Sequence, residues 1–208
     1  MGIQLLLKHI HTCMAPKMIS LQSNNLAVID IETSGINPFR HEVLSVALVP
    51  LTLSATPCVV YVRAHEIQWS LFAKKNFENF SPDWNANAVP AAAAYDEIEQ
   101  YITQTFEESQ VTVIGHNVGF DVAFMRKLAF NAGKDELPRI SHRALDTHTM
   151  LYLLFLKGQL PSSALSSDGA FDFFGINISD RDRHTSLGDA LATRELVLRL
   201  FEMLQVPI

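Results

Sequence analysis

A chain of 208 residues with 48% hydrophobic side chains is long enough to bury one core and too short for two full domains. Its net charge of −6, from 16 Lys and Arg against 22 Asp and Glu, argues against an extended nonspecific grip on duplex nucleic acid and leaves a short end or a small substrate. Cys13 and Cys58 form neither a CxxC pair nor a zinc-finger spacing, and no apolar run approaches the roughly 18 residues of a bilayer span. A soluble protein of the reducing cytoplasm is therefore expected.

Residues 1–25 contain no acid and end in Gln22-Ser23-Asn24-Asn25, so they read as a loosely ordered arm before a single domain over residues 26–208. The lack of arginine there disfavours a mitochondrial presequence, and Met14 or Met18 is a candidate natural start. From Leu26 the pattern predicts strands over Leu26–Ile31, Val43–Val49 and Val59–Val62, rich in β-branched residues and parted by turn signals such as Gly35-Ile36-Asn37-Pro38. Short connections make these an antiparallel meander. Helix Tyr95–Phe106, strand Val111–Ile114, helix Phe120–Phe130 and a strand near Ala144-Leu145 follow, then helices over Thr147–Leu156, Leu165–Phe174 and Leu187–Leu204. The result is an α/β fold with a mixed five-stranded sheet, antiparallel meander first and parallel strands after, flanked by helices. No element is predicted for Trp69–Pro90. The positive run Arg126, Lys127, Lys134, Arg139, Arg143 reads as a solvated helix and loop.

Three acidic motifs stand at the edges of apolar segments. Asp30 and Glu32 are two apart in a strand, so both project from one face, and about 6.6 Å of rise lets their carboxylates converge on one cation. An isolated Asp-x-Glu more often merely ends a strand, but the turn Thr33-Ser34-Gly35 directs backbone amides towards the same place. Asp121 follows Gly115-His116-Asn117 where a buried strand gives way to a helix, at the carboxyl end of the sheet, where α/β folds bind ligands. Asn117 equally suits a helix N-cap, and Phe120, Phe124 and Met125 fit the core face of that helix. His184 precedes the last helix and Asp189 lies in its first turns, so the two can face one centre. Four acids with hard oxygen donors suit Mg²⁺ or Mn²⁺, and phosphate-ester cleavage is the chemistry they suggest.

Taken in order, Asp30-Ile-Glu32-Thr33-Ser34-Gly35, His116-Asn117-x-x-Phe120-Asp121 and His184-x-x-x-x-Asp189 resemble the motifs of the DEDDh family of 3′–5′ exonucleases. The resemblance runs from about Ala27 to Leu204, takes in Leu145-Asp146-Thr147 and Phe174-Gly175-Ile176, and points to the branches of the polymerase III proofreading subunit and ribonuclease T. It implies a ribonuclease H-like fold and release of nucleoside 5′-monophosphates from single-stranded DNA or RNA 3′ ends. Asp30, Glu32 and Asp189 would hold a first metal, Asp30 with Asp121 a second, and His184 would be the general base. Thr33, Ser34, Gly35 and Phe120 would lie at the terminal nucleotide, with His116 and Asn117 supporting the site.

Two departures accompany the resemblance. In place of the family's His-Gly-Ile-type turn against the terminal nucleotide stands Asn76-Phe77-Glu78-Asn79-Phe80-Ser81-Pro82, and stacking rings are expected instead from Trp69, Phe72, Phe77, Phe80 and Trp84. The sequence also stops at Ile208 without a tail of the kind that fastens a proofreading subunit to its polymerase, so a free-standing nuclease or a partner of an unknown complex is expected, with a homodimer left open and no membrane partner. A silent nucleic-acid-binding module of the same fold and a metal-dependent nucleotide phosphatase are the competing readings.

Overall fold

A computed structural model describes residues 25–51, 54–106 and 110–206; of the arm expected over residues 1–25, all but Asn25 lies outside these, Cys13 included. Five strands form one sheet in the order β3-β2-β1-β4-β5, with β1 Leu26–Thr33, β2 Val43–Pro50, β3 Cys58–Tyr61, β4 Val111–Gly115 and β5 Ile140–Asp146. β1, β2 and β3 pair antiparallel, while β4 pairs parallel with β1 and with β5, the mixed sheet expected from the pattern.

The period of β1 divides its residues between two cores. Ala27, Ile29 and Ile31 pack with Ile98 and Ile102 of α3 (Ala91–Thr105) and with Phe124, Met125 and Leu128 of α4 (Gly119–Asn131). Leu26 and Val28 face the other way, against Ala190, Val197 and Phe201 of α7 (Ser186–Met203). Asp30 and Glu32 continue that second row, so strand alternation alone turns both acids towards the helix that carries Asp189. α5 (Thr147–Leu156) and α6 (Ser167–Phe174) close a third apolar cluster with α7 around Leu151, Leu154, Phe171 and Leu196.

The segment Trp69–Pro90 departs from expectation. It forms α1 (Leu71–Asn76), a 3-10 turn (Phe77–Asn79) and α2 (Ser81–Asn87), all shorter than the window over which helical period is legible. Aromatic packing holds it: Phe80 and Trp84 are buried against Leu44 with Trp69 and Phe77 over them, and Phe77 meets Phe80 and Trp84 edge-on. The Trp84 indole donates to the Val62 carbonyl at 2.8 Å, and Arg63 lies over its ring while donating to the Ala88 carbonyl. Helix α3 also begins four residues before its expected start at Tyr95, because Ala91–Ala94 propagate a helix without any apolar period to reveal it. No helix among the described residues is long and apolar enough to cross a membrane.

Candidate metal and active site

Asp30 and Glu32 of β1 and Asp189 of α7 present carboxylate oxygens that all lie within 4.8 Å of one another. The three come together because β1 delivers two acids on one face and Thr185 caps α7 against it, accepting from the Gly188 amide at 3.1 Å. The Ser45 and Ser186 hydroxyls, 2.6 Å apart and buried, tie the start of α7 to β2. Asp121, buried in the first turn of α4, stands outside the triad but close enough to Asp30 to be its largest charge neighbour.

Crowding is visible in the protonation of these acids. Burial first, then the charges of Asp121, Glu32 and Asp189, holds the Asp30 carboxyl well above its usual range. Burial and Asp189 push Glu32 up to about 7. Burial also raises Asp121, against hydrogen bonds from backbone at Asp121 and Ile31, and raises Asp189, against the opposing charge of Arg183. Carboxylates so placed cost free energy when ionised unless a cation joins them. A divalent ion fits: Asp189 Oδ1 is buried with no hydrogen-bond partner, and the donors are all hard oxygens.

Arg183, which the sequence reading did not single out, partly plays the cation's part. Its Nη1 lies 2.5 Å from Asp189 Oδ2 and its Nη2 2.6 Å from Asp168 Oδ1 of α6, with the guanidinium over the Phe171 ring. His184 follows in a left-handed conformation with φ of 59°, and its ring meets Phe72 of α1 edge-on at 5.8 Å between centroids. Asn117 is also left-handed, with φ of 60°, so two of the described residues that bear such backbone strain lie in the motifs.

The supporting residues have defined tasks. The Asn117 amide donates to Asp146 Oδ1 at 2.9 Å, and the same oxygen caps α5 through the His148 amide, so one carboxylate pins the second motif to the next helix. His116 Nδ1 is 3.1 Å from the Thr147 hydroxyl, and burial, then His148 beside it, lowers its pKa. Thr33 donates to the Gly35 carbonyl at 2.8 Å. Ser34 is fully buried, and all its polar groups are taken within the chain: its hydroxyl accepts from the Glu42 amide, its own amide donates to the Glu42 carbonyl and its carbonyl accepts from the Ser70 amide, so the expected contact with a terminal nucleotide has no free group there. At Gly35 a Cβ would stand 2.6 Å from the His41 ring, which would have to shift to admit one. Phe120 packs on Phe124 at 4.8 Å between centroids and is only partly buried, whereas Phe124 and Met125 are core. Of the five rings expected to stack a base, Phe80 and Trp84 are consumed by the core and Trp69 and Phe77 pack over them; Phe72 stays 68% exposed, next to Leu71 at 93%. Cys58 is partly buried, and burial, then Glu97, pushes its thiol up to about 11.

No family model matches the chain. Ribonuclease T of Marinobacter nauticus is 28% identical over 180 residues, covering 81% of this chain and 78% of that protein. A DNA polymerase III subunit epsilon-like protein of Rhodobacter capsulatus is 34% identical over 100 residues, 48% of this chain and 13% of its own. Among solved structures, Escherichia coli exonuclease I in complex with a dT13 oligonucleotide aligns with a TM-score of 0.68 at 19% identity, over 86% of this chain and 43% of that one. The nuclease domain of 3′hExo, a DEDDh family member bound to rAMP, aligns at 0.66 and 15% identity over 86% and 92%. The chain thus spans less than half of exonuclease I, and at these identities the structures establish the ribonuclease H-like fold.

Proposed function

We propose, from the premise that this chain is a DEDDh-type 3′–5′ exonuclease, that it removes nucleoside 5′-monophosphates one at a time from single-stranded 3′ ends, with two divalent cations, Mg²⁺ or Mn²⁺. The observation that carries the reading is the convergence of Asp30, Glu32 and Asp189 within 4.8 Å around a buried, unpartnered carboxylate oxygen, with Asp121 beside Asp30. Asp30, Glu32 and Asp189 would hold one cation, and Asp30 with Asp121 the other. Bound there, the cations supply Lewis acidity towards the phosphate and a readily ionised water.

The chain's own groups do the rest. His184 accepts the proton of the attacking water at its imidazole, and the Phe72 edge limits where that ring can swing. Phe72 and Leu71 are the exposed apolar surface next to His184 on which a terminal base can stack. The partly exposed Phe120 borders the second motif, which His116, Asn117 and Asp146 keep in place. A single strand suits a protein of net charge −6, because stacking and two cations replace the basic surface that a duplex demands.

Matched single-stranded DNA and RNA, labelled at the 5′ end and digested with Mg²⁺, should shorten stepwise from the 3′ end and stay intact in EDTA. Cleavage of a circular single strand, or release of phosphate from a free nucleotide in place of shortening, would overturn the reading.

A further inference from the structure

The turn that leaves the catalytic strand leads to a second surface. Beyond Gly35 the chain runs through Ile36, 82% exposed, to Phe39, 92% exposed, and Phe39 lies with Phe130 of α4, 80% exposed, along a groove of about 490 Å³. Pro38 and Ala123 complete its apolar floor, and Arg126 and Lys127 stand on its wall. Two bare phenylalanines so placed cost solvation without contributing to any core. Their neighbours are cationic. Lys127 is engaged, 2.8 Å from Glu42, and Asn131 also donates to that acid, so the nearby negative charge is compensated. Arg126, and Arg40 beside Phe39, are exposed, and neither takes part in an ion pair among the described residues.

We propose that the Phe39–Phe130 groove is a second nucleotide-binding subsite, in which an upstream base of the single strand stacks between the rings while Arg126 and Arg40 meet its phosphates. The inference rests on the single-strand reading above and adds a place that no catalytic acid touches. Unpaired bases offer an apolar face and a phosphate at regular intervals, and aromatic rings alternating with free guanidinium groups match that combination. A duplex hides the faces, and an apolar protein partner leaves the free arginines unanswered. Phe130 is nine residues beyond Asp121, a rise of about 14 Å and about two and a half turns, so it leaves the far side of the helix and a strand passing round to it needs more than roughly four nucleotides at about 3.4 Å each. A dinucleotide held at the carboxylates therefore does not reach the groove, and a dodecanucleotide does.

The test compares dT12 with the dinucleotide dT2 in Mg²⁺ for wild type, F130S and R126E, all exposed positions. Expected is a KM for dT12 raised roughly five- to a hundredfold in each variant, with kcat and all dT2 kinetics unchanged. Unchanged dT12 kinetics, or an equal loss on both substrates, overturns the subsite. Fluorescence anisotropy of labelled dT12 in Ca²⁺ provides a reading without turnover: if wild type cleaves nothing, the exonuclease reading fails, yet weaker dT12 binding by the variants still upholds the subsite and equal binding still rejects it. Size-exclusion chromatography covers the other occupant, since a dimer that F130S dissociates with dT12 affinity intact makes the groove a contact between copies and overturns the proposal.

Discussion

Asp189 has one carboxylate oxygen bonded to Arg183 and one buried without a partner, and that asymmetry defines what each neighbour contributes. Arg183 compensates the acid when metal is absent, so Arg183→Gln should lower the melting temperature in EDTA and enlarge the rise on adding Mn²⁺, because a buried carboxylate without its partner is costly. An equal fall with and without metal would show that Arg183 serves packing alone. Replacing Asp30 or Asp189 by Ala removes a ligand worth several kcal/mol at the transition state, so cleavage should fall by at least about a thousandfold while the fold persists. Circular dichroism alongside the assay checks both halves. For His184→Ala the loss should be roughly 10²–10⁴ in rate, with partial recovery at alkaline pH, as expected of a missing general base. Collapse of metal binding in calorimetry would instead make His184 a ligand.

At the level of elements, the site depends on two short pieces held by close packing. Helix α7 approaches the turn before it so closely at Gly188 that a Cβ there would collide with the Asp182 carbonyl. Gly188→Ala should therefore displace the turn bearing Arg183 and His184, cutting activity far more than it lowers the melting temperature. Loss of activity strictly in proportion to lost folded protein would refute this. The α1–α2 segment hangs on Trp84, whose ring is buried and whose indole bonds the Val62 carbonyl. Trp84→Ala should cost about 3–5 kcal/mol in chemical denaturation, the usual range for a large aromatic, and loosen the helix that presents Phe72.

For the whole molecule, the crowded acids couple folding, metal and pH. Glu32 is raised from 4.5 to about 7, so its contribution to stability is fully present below about 4.5 and lost as pH rises through about 7. Asp30, Asp121 and Asp189 are raised as well and act in the same direction. Metal-free protein should accordingly lose melting temperature between roughly pH 4.5 and 8, and the gain on adding Mg²⁺ or Mn²⁺ should grow over the same interval, since the ligands must shed protons to bind. Calorimetry in buffers of different ionisation enthalpy should register proton release near neutral pH. A metal-induced shift independent of pH would contradict it.

Strand period and motif order were legible from the chain because they are local. β-branched runs mark β1 and β2, and the i, i+2 spacing of Asp30 and Glu32 places both on one face wherever the strand ends up. The buried positions of α4 and α7 follow helical spacing in the same way, whereas α5 is a continuous apolar run without a period. The α1–α2 segment was not legible, since its helices have 6 and 7 residues and their order comes from rings of Trp69, Phe77, Phe80 and Trp84 packing on one another and on Leu44. Nor does any spacing show that Arg183, beside His184 in sequence, reaches back to Asp189 and across to Asp168. The sequence by itself determined the sheet, the three motifs and the chemistry their acids can support. Only the tertiary structure decided which rings stay free for a base and which cation compensates the acids without metal, because burial and ion pairing depend on residues that the chain brings together from a distance.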